Sequence, residues 1–253
     1  MRQTEFGPKG AYVRWTEAAG DGPARVHVHG LGAASGAYTA HISAHPALVN
    51  RRTLFVDLPG FGISDRPADF GYSLEEHADA LAAVLDAADV RGAEVVGHSM
   101  GGAVAIVLAH RRPELVSRLV LAEANLDPEP PRAAGGSGIA GYTEEEFVHC
   151  GGFAATLERV GWLWRSTMRL ADPVALHRTA CALARGTEPT MRAMLVGLDI
   201  PRTFLVGELS ADVRDRAGLA AAGVDVITVP RSGHCLMFDN PQAYAEAIGG
   251  AAA

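Results

Sequence analysis

The sequence predicts an α/β protein: a mostly parallel sheet covered by helices on both faces and interrupted by one helical insertion. Three observations carry this. Strand-like and helix-like segments alternate through most of the 253 residues. A buried-looking strand, Glu94-Val95-Val96-Gly97, runs through Gly97-His98-Ser99-Met100-Gly101 into an apolar helix, Gly102 to Ala109. Between about 126 and 198 the alternation stops and only helical segments remain.

The elements follow in order. A first hairpin is expected near 3–17. Ala24-Arg25-Val26-His27-Val28-His29 is the next strand, ending at Gly30-Leu31-Gly32, and a helical stretch near 36–48 leads to Thr53-Leu54-Phe55-Val56-Asp57. A Pro/Gly turn, Leu58-Pro59-Gly60-Phe61-Gly62, follows. Ser73 and Glu76 form a capping box for a helix over 73–88, in which Leu74, Ala78, Leu81, Val84, Leu85 and Ala88 recur at helical spacing. After the Ser99 strand and helix comes another buried strand, Arg118 to Glu123. The insertion opens on Pro128, Pro130, Pro131, Gly135, Gly136 and Gly138, with helix caps at Thr143/Glu146 and Asp172-Pro173. Strands resume at Thr203–Val206 and Val224–Val229, and a last helix starts at Asn240-Pro241. The expected division is therefore a core of 1–125 and 199–253, with a helical lid over 126–198. Trp162, Trp164 and Met168 are the lid residues expected to line a substrate pocket; Phe147, Phe153, Met191 and Met194 are weighed with them, and helix packing is the alternative for each.

Composition bounds the function. Net charge is −7 with acids and bases interspersed and no basic stripe, which argues against a nucleic-acid partner. Hydrophobic residues make up 48%, enough for a real core. Cys150, Cys181 and Cys235 show no metal-like spacing and read as free thiols in a reducing compartment. Neither a signal-peptide core nor a run of ~18 apolar residues is visible, so a soluble, cytoplasmic protein is expected, with no membrane partner. The sequence is silent on oligomeric state.

The motif G-x-S-x-G between strand and helix is the setting of a nucleophilic serine. The sharp turn exposes the Ser99 hydroxyl, and flanking glycines remove colliding side chains. The following helix aims amide N–H groups and its positive dipole end at a developing oxyanion. A serine hydroxyl needs a base, and the base an orienting partner. Among ten histidines, His234 follows the last strand in Val229-Pro230-Arg231-Ser232-Gly233, the place where such sheets gather site residues. His98 flanks the serine and is expected to point away from it; His27 reads as a core residue.

Together, His29-Gly30-Leu31-Gly32, Asp57-Leu58-Pro59-Gly60-Phe61-Gly62-Ile63-Ser64, Gly97-His98-Ser99-Met100-Gly101-Gly102 and Gly233-His234 resemble the α/β-hydrolase superfamily, in its order and over residues 29–234. The resemblance implies an eight-stranded, mostly parallel sheet with a lid after the sixth strand. It implies an oxyanion hole from the N–H groups of Met100 and Leu31, with His29 structural. The sequence departs from the family at the acid. The usual Gly-x-x-Asp turn after the seventh strand reads Gly207-Glu208-Leu209-Ser210. Glu123, ending the sixth strand, is the leading candidate, since some relatives, zearalenone-type lactone hydrolases among them, look similar in placing the acid there. Asp212 and Glu208 stay open as alternatives. Asp57 is expected to be structural, and Asp65 to pair with Arg66.

The leading functional reading is a cofactor-free, metal-free serine hydrolase acting on a small-molecule ester, thioester or lactone. A non-hydrolytic or C–C bond-cleaving enzyme on the same fold is the second reading. A low-turnover ligand-binding protein is the third.

Overall fold

The computed structural model describes residues 1–7, 10–130 and 137–250, so Pro131, Gly135 and Gly136 of the expected Pro/Gly-rich stretch lie outside the described residues. In chain order the elements are β1 (Arg2–Glu5), β2 (Tyr12–Ala18), β3 (Asp21–Val28), α1 (Ser35–Thr39), β4 (Arg51–Asp57), α2 (Leu74–Ala87), β5 (Ala93–His98), α3 (Met100–Arg111) and β6 (Val116–Ala122). Then come α4 (Glu144–Val148), α5 (Gly152–Arg159), α6 (Trp162–Met168), α7 (Pro173–Arg185) and α8 (Met191–Gly197). The chain returns to the sheet with β7 (Arg202–Gly207), α9 (Arg216–Ala221), β8 (Val224–Val229), α10 (Leu236–Asp239) and α11 (Pro241–Gly250). The eight strands form one sheet in the order β1-β2-β4-β3-β5-β6-β7-β8. β2 is antiparallel to both β1 and β4, and the remaining pairings are parallel.

The central strands read as unbroken apolar runs because both faces are covered. Their side chains alternate between two cores, as the two-residue period of a strand requires. Val95, Leu119, Leu121, Phe204 and Val206 join the core packed by α2 and α3. Val96, Val120, Ala122 and Leu205 join the core packed by α1, α10 and α11. Helix α3 is buried from Met100 to Ala109, so it carries no polar stripe. The capping boxes at Ser73/Glu76 and Thr143/Glu146 are both formed, and Asp172 caps α7. The helical stretch expected near 36–48 is shorter than its composition suggested: α1 and a single 3-10 turn end at Ile42.

One row of charge lies at the N-terminal end of the sheet, away from the serine. Glu94 on β5 is flanked in register by Arg25 on β3 and Arg118 on β6, and both guanidiniums pair with its buried carboxylate. Removing one member of such a buried set costs about 3–5 kcal/mol, since it strands the others. Asp65, expected to pair with Arg66, pairs instead with Arg14 and accepts from the Tyr12 N–H at 2.9 Å. Arg66 donates to the carbonyls of Gly62 and Leu170. The two are neighbours in the chain, but the turn sends their side chains to different partners. No helix among the described residues is long and apolar enough to cross a membrane.

Candidate active site

Ser99 sits between β5 and α3 with φ 52° and ψ −120°, a conformation that L-residues rarely adopt. The surroundings hold it there. Its N–H donates to the Ala122 carbonyl at the end of β6 (2.8 Å), and its own carbonyl accepts from Gly102 at 2.9 Å. The glycines are sterically required. A Cβ on Gly97 would lie 2.6 Å from the Gly101 carbonyl oxygen, one on Gly101 2.3 Å from that of Val28, and one on Gly102 2.4 Å from the Ala124 Cβ. The Gly-x-Ser-x-Gly-Gly spelling is thus the imprint of helix α3 pressed against the ends of β3, β5 and β6.

His234 follows β8 in a loop tied at several points. Gly233 N–H donates to the Asp239 carboxylate at 2.9 Å, and Arg231 N–H to that of Glu208 at 2.7 Å. Ser232 O accepts from Leu209 N–H at 2.8 Å. Gly207, at the end of β7, has no room for a side chain: a Cβ would lie 2.4 Å from the Ser232 carbonyl oxygen.

Glu123 directly follows β6, also at positive φ (52°). Its Oε1 accepts from the Gly207 N–H at 2.7 Å, and its Oε2 lies 3.6 Å from His234 Nδ1. The other two carboxylates considered for this place are engaged elsewhere. Asp212 pairs with Arg216 on an exposed loop, and Glu208 caps the Arg231 amide. Ser210, at the position where the family usually has its aspartate, donates its N–H to the Gly207 carbonyl.

Two further histidines frame the site, and their partners fix their tautomers. His29 Nε2 accepts from the Leu58 N–H (3.0 Å), so Nδ1 carries the proton and donates to the Gly30 carbonyl at 2.7 Å. His98 has the opposite tautomer: its Nε2 faces the His234 carbonyl at 2.8 Å, an oxygen that can only accept. Burial, reinforced by the neighbouring His234, pushes the His98 pKa down to about 3. Its ring packs against the His234 ring with centroids 4.9 Å apart. Nothing in the linear motif shows that the His98 ring reaches a loop 136 residues later. Asp57 is structural as expected, accepting from the Ser35 and Ile63 amides.

Ser99, His234, Glu123, His98, Leu31 and Trp164 share the wall of one cavity of about 700 Å³. Met100, with no exposed surface, opens α3 behind Ser99. Of the three lid residues expected to line a pocket, only Trp164 does. Trp162 is 79% exposed and outside the cavity wall, and Met168 is fully buried beneath it, against Gly32. Phe147, Met191 and Met194 are likewise packed into the core. Besides Trp164, the apolar lining from the inserted helices comes from Ala180, Leu183 and Ala184 on α7. Alanine and leucine are ordinary helix residues, so these positions carry no pocket signal in the sequence. A bidentate pair, Arg192 with Asp127 at 2.7–2.8 Å, forms part of the same wall.

Comparison with known proteins bears on the family and the fold. The chain matches the family model of the Alpha/beta hydrolase family over residues 26–247. It is 42% identical over 95 residues to a 2-hydroxymuconate semialdehyde hydrolase of Pseudomonas sp. (strain CF600), covering 37% of this chain and 34% of the relative. The chain spans only about a third of the length of the first curated relatives that it matches. In fold it is similar to an esterase from Exiguobacterium antarcticum, with TM-score 0.78, 19% identity and 97% of each chain covered. It is also similar to Est816, described as an N-acyl homoserine lactone degrading enzyme, with TM-score 0.73, 22% identity, and 98% of this chain and 99% of the other covered.

Proposed function

The chain belongs to the alpha/beta hydrolase family, and from that premise we propose that it is a serine hydrolase that cleaves an ester, thioester or lactone through an acyl-enzyme on Ser99. The observation that carries this reading is the meeting of Ser99, His234 and Glu123, from three separate strand ends, on one cavity wall. In this reading Ser99 Oγ attacks the substrate carbonyl while His234 takes its proton. Glu123 holds the imidazole and stabilises its charged form. The N–H groups of Met100 and Leu31 bind the oxyanion. Collapse of the tetrahedral intermediate breaks the bond to the leaving group, which receives the proton from His234. Water, deprotonated by His234, then releases the acyl group. Helices α4–α8 act as the lid and bound the substrate, and the alanine- and leucine-lined wall favours an apolar acyl portion.

A screen of activated esters, thioesters and lactones on purified protein, with Ser99→Ala as control, tests this. Turnover and fluorophosphonate labelling that both vanish in Ser99→Ala are the expected result. Turnover surviving in Ser99→Ala would remove the serine mechanism. Labelling without turnover of any of these substrates would turn attention to a low-turnover ligand-binding protein. The likeness to a 2-hydroxymuconate semialdehyde hydrolase supports a second reading, C–C bond hydrolysis at the same serine. Turnover of that aldehyde with none of the esters would decide for it.

A further inference from the structure

We propose that Trp164 is a positioning residue for the oxyanion donor: its indole N–H clasps the Leu31 carbonyl, so the donor's geometry depends on helix α6 being seated. This rests on the serine-hydrolase reading and on Leu31 as one of the two donors.

Leu31 belongs to two peptide units. The first joins Gly30 to Leu31 and carries the Leu31 N–H. Its carbonyl oxygen, that of Gly30, is held by the His29 Nδ1–H at 2.7 Å and the Ala33 N–H at 3.1 Å. In a planar trans peptide the N–H points opposite to the C=O, so holding the Gly30 oxygen aims the Leu31 N–H. The second unit joins Leu31 to Gly32, and its carbonyl accepts from Trp164 Nε1 at 2.6 Å. With both units held, the rotations about the Leu31 Cα are fixed.

The two clamps differ in origin. His29 is buried in the sheet core and is itself locked by the Leu58 amide. Trp164 comes from the helices inserted between β6 and β7, 133 residues away in the chain. The loop needs an outside hold because Gly32, at φ 69°, has the rotational freedom to let the preceding carbonyl swing. Helix α6 sits directly on that glycine: a Cβ there would lie 3.1 Å from Trp164 Nε1 and 3.2 Å from Met168 Cε. Seating α6 therefore closes the cavity wall and fixes the donor in the same step.

An interaction that orients an oxyanion donor is felt in the transition state more than in substrate binding, so its loss lowers kcat and spares KM. Trp164→Phe keeps an aromatic wall and removes the N–H. With 4-nitrophenyl butyrate, kcat should fall about tenfold, less than the 10²–10³ of deleting a direct donor, while KM stays within about twofold. Affinity for a trifluoromethyl ketone, which forms a tetrahedral oxyanion on the serine, should fall by the same factor. Affinity for the matching methyl ketone should not change. Trp162→Phe, on the exposed side of α6, is the control and should behave as the unaltered enzyme. Gly32→Ala tests the same contact from the loop side should Trp164→Phe fold poorly, and should also lower kcat selectively. Unaltered kcat in a folded Trp164→Phe enzyme, or a change confined to KM, would overturn the proposal and leave Trp164 a wall residue. An unaltered enzyme that neither hydrolyses the ester nor reacts with a fluorophosphonate at Ser99 would instead overturn the hydrolase reading, and this inference with it.

Discussion

Glu123 Oε2 lies 3.6 Å from His234 Nδ1, although the two residues leave the sheet from β6 and from beyond β8, with β7 between them. The intervening strand takes part: the N–H of Gly207, its last residue, donates to the other carboxylate oxygen at 2.7 Å. The carboxylate is thus held from the strand whose following turn carries serine in place of the family's usual aspartate. That hydrogen bond fixes the rotamer that turns the second oxygen toward the imidazole.

Glu123→Gln keeps the Gly207 bond through its amide oxygen and removes the charge. If Glu123 is the orienting acid, turnover should fall on the order of 10³–10⁴-fold, by analogy with the serine-protease acid-to-amide change. Asp212→Asn and Glu208→Gln should each cost less than about tenfold. Steady-state kinetics on the three variants decide it. A larger loss in Asp212→Asn than in Glu123→Gln would move the acid to the loop after β7.

Ser99→Ala and His234→Ala should each abolish turnover nearly completely, and the double variant should be no worse than either single one. A nucleophile and its base act as a unit, so their losses do not multiply. Multiplying losses would mean that His234 does not act through Ser99.

The strand–turn–helix around Ser99 was legible in the sequence because its glycines answer local collisions that any reader of the motif can anticipate. The capping boxes and the apolar runs of β5, β6 and β7 were legible for the same reason: each is decided within a few residues. The pocket wall was not. Trp162 and Trp164 are two residues apart on α6, and only the packing of α6 onto Gly32 determines which indole turns inward. His98 and Asp127 were equally hidden, since each finds its partner more than sixty residues away.

His98 should act as a support for the His234 loop. Its Nε2–H holds the His234 carbonyl, and the ring backs the His234 ring. His98→Leu should lower kcat about tenfold with little change in KM, as expected for a group felt in the transition state. His98→Gln, whose side-chain nitrogen can take the place of Nε2, should recover most of the loss. Equal kcat in the Leu and Gln variants would show that the hydrogen bond does nothing for catalysis.

The buried histidines predict how the fold responds to acid. His27, His77 and His98 are each pushed down to about 3, in every case chiefly by burial, with a neighbouring cation or imidazole adding to it. The sign follows from linkage. Above the unfolded value near 6.5 both states are neutral at these rings, and stability does not depend on their titration. Below it the unfolded chain takes up protons that the folded chain refuses, so stability falls as pH drops from about 6.5 toward about 3. Each ring contributes roughly 1.4 kcal/mol per pH unit, about 4 for the three together. Two pH units below 6.5 this is comparable to the stability of an ordinary domain, so stability at pH 5 should lie well below that at pH 7. Urea unfolding at pH 7, 6 and 5 measures the slope. His27→Leu should flatten it by about a third, because that ring stacks on Phe55 and its titration is removed without touching Ser99 or His234. Equal stability at pH 7 and pH 5 would show that these rings are protonated in the folded state.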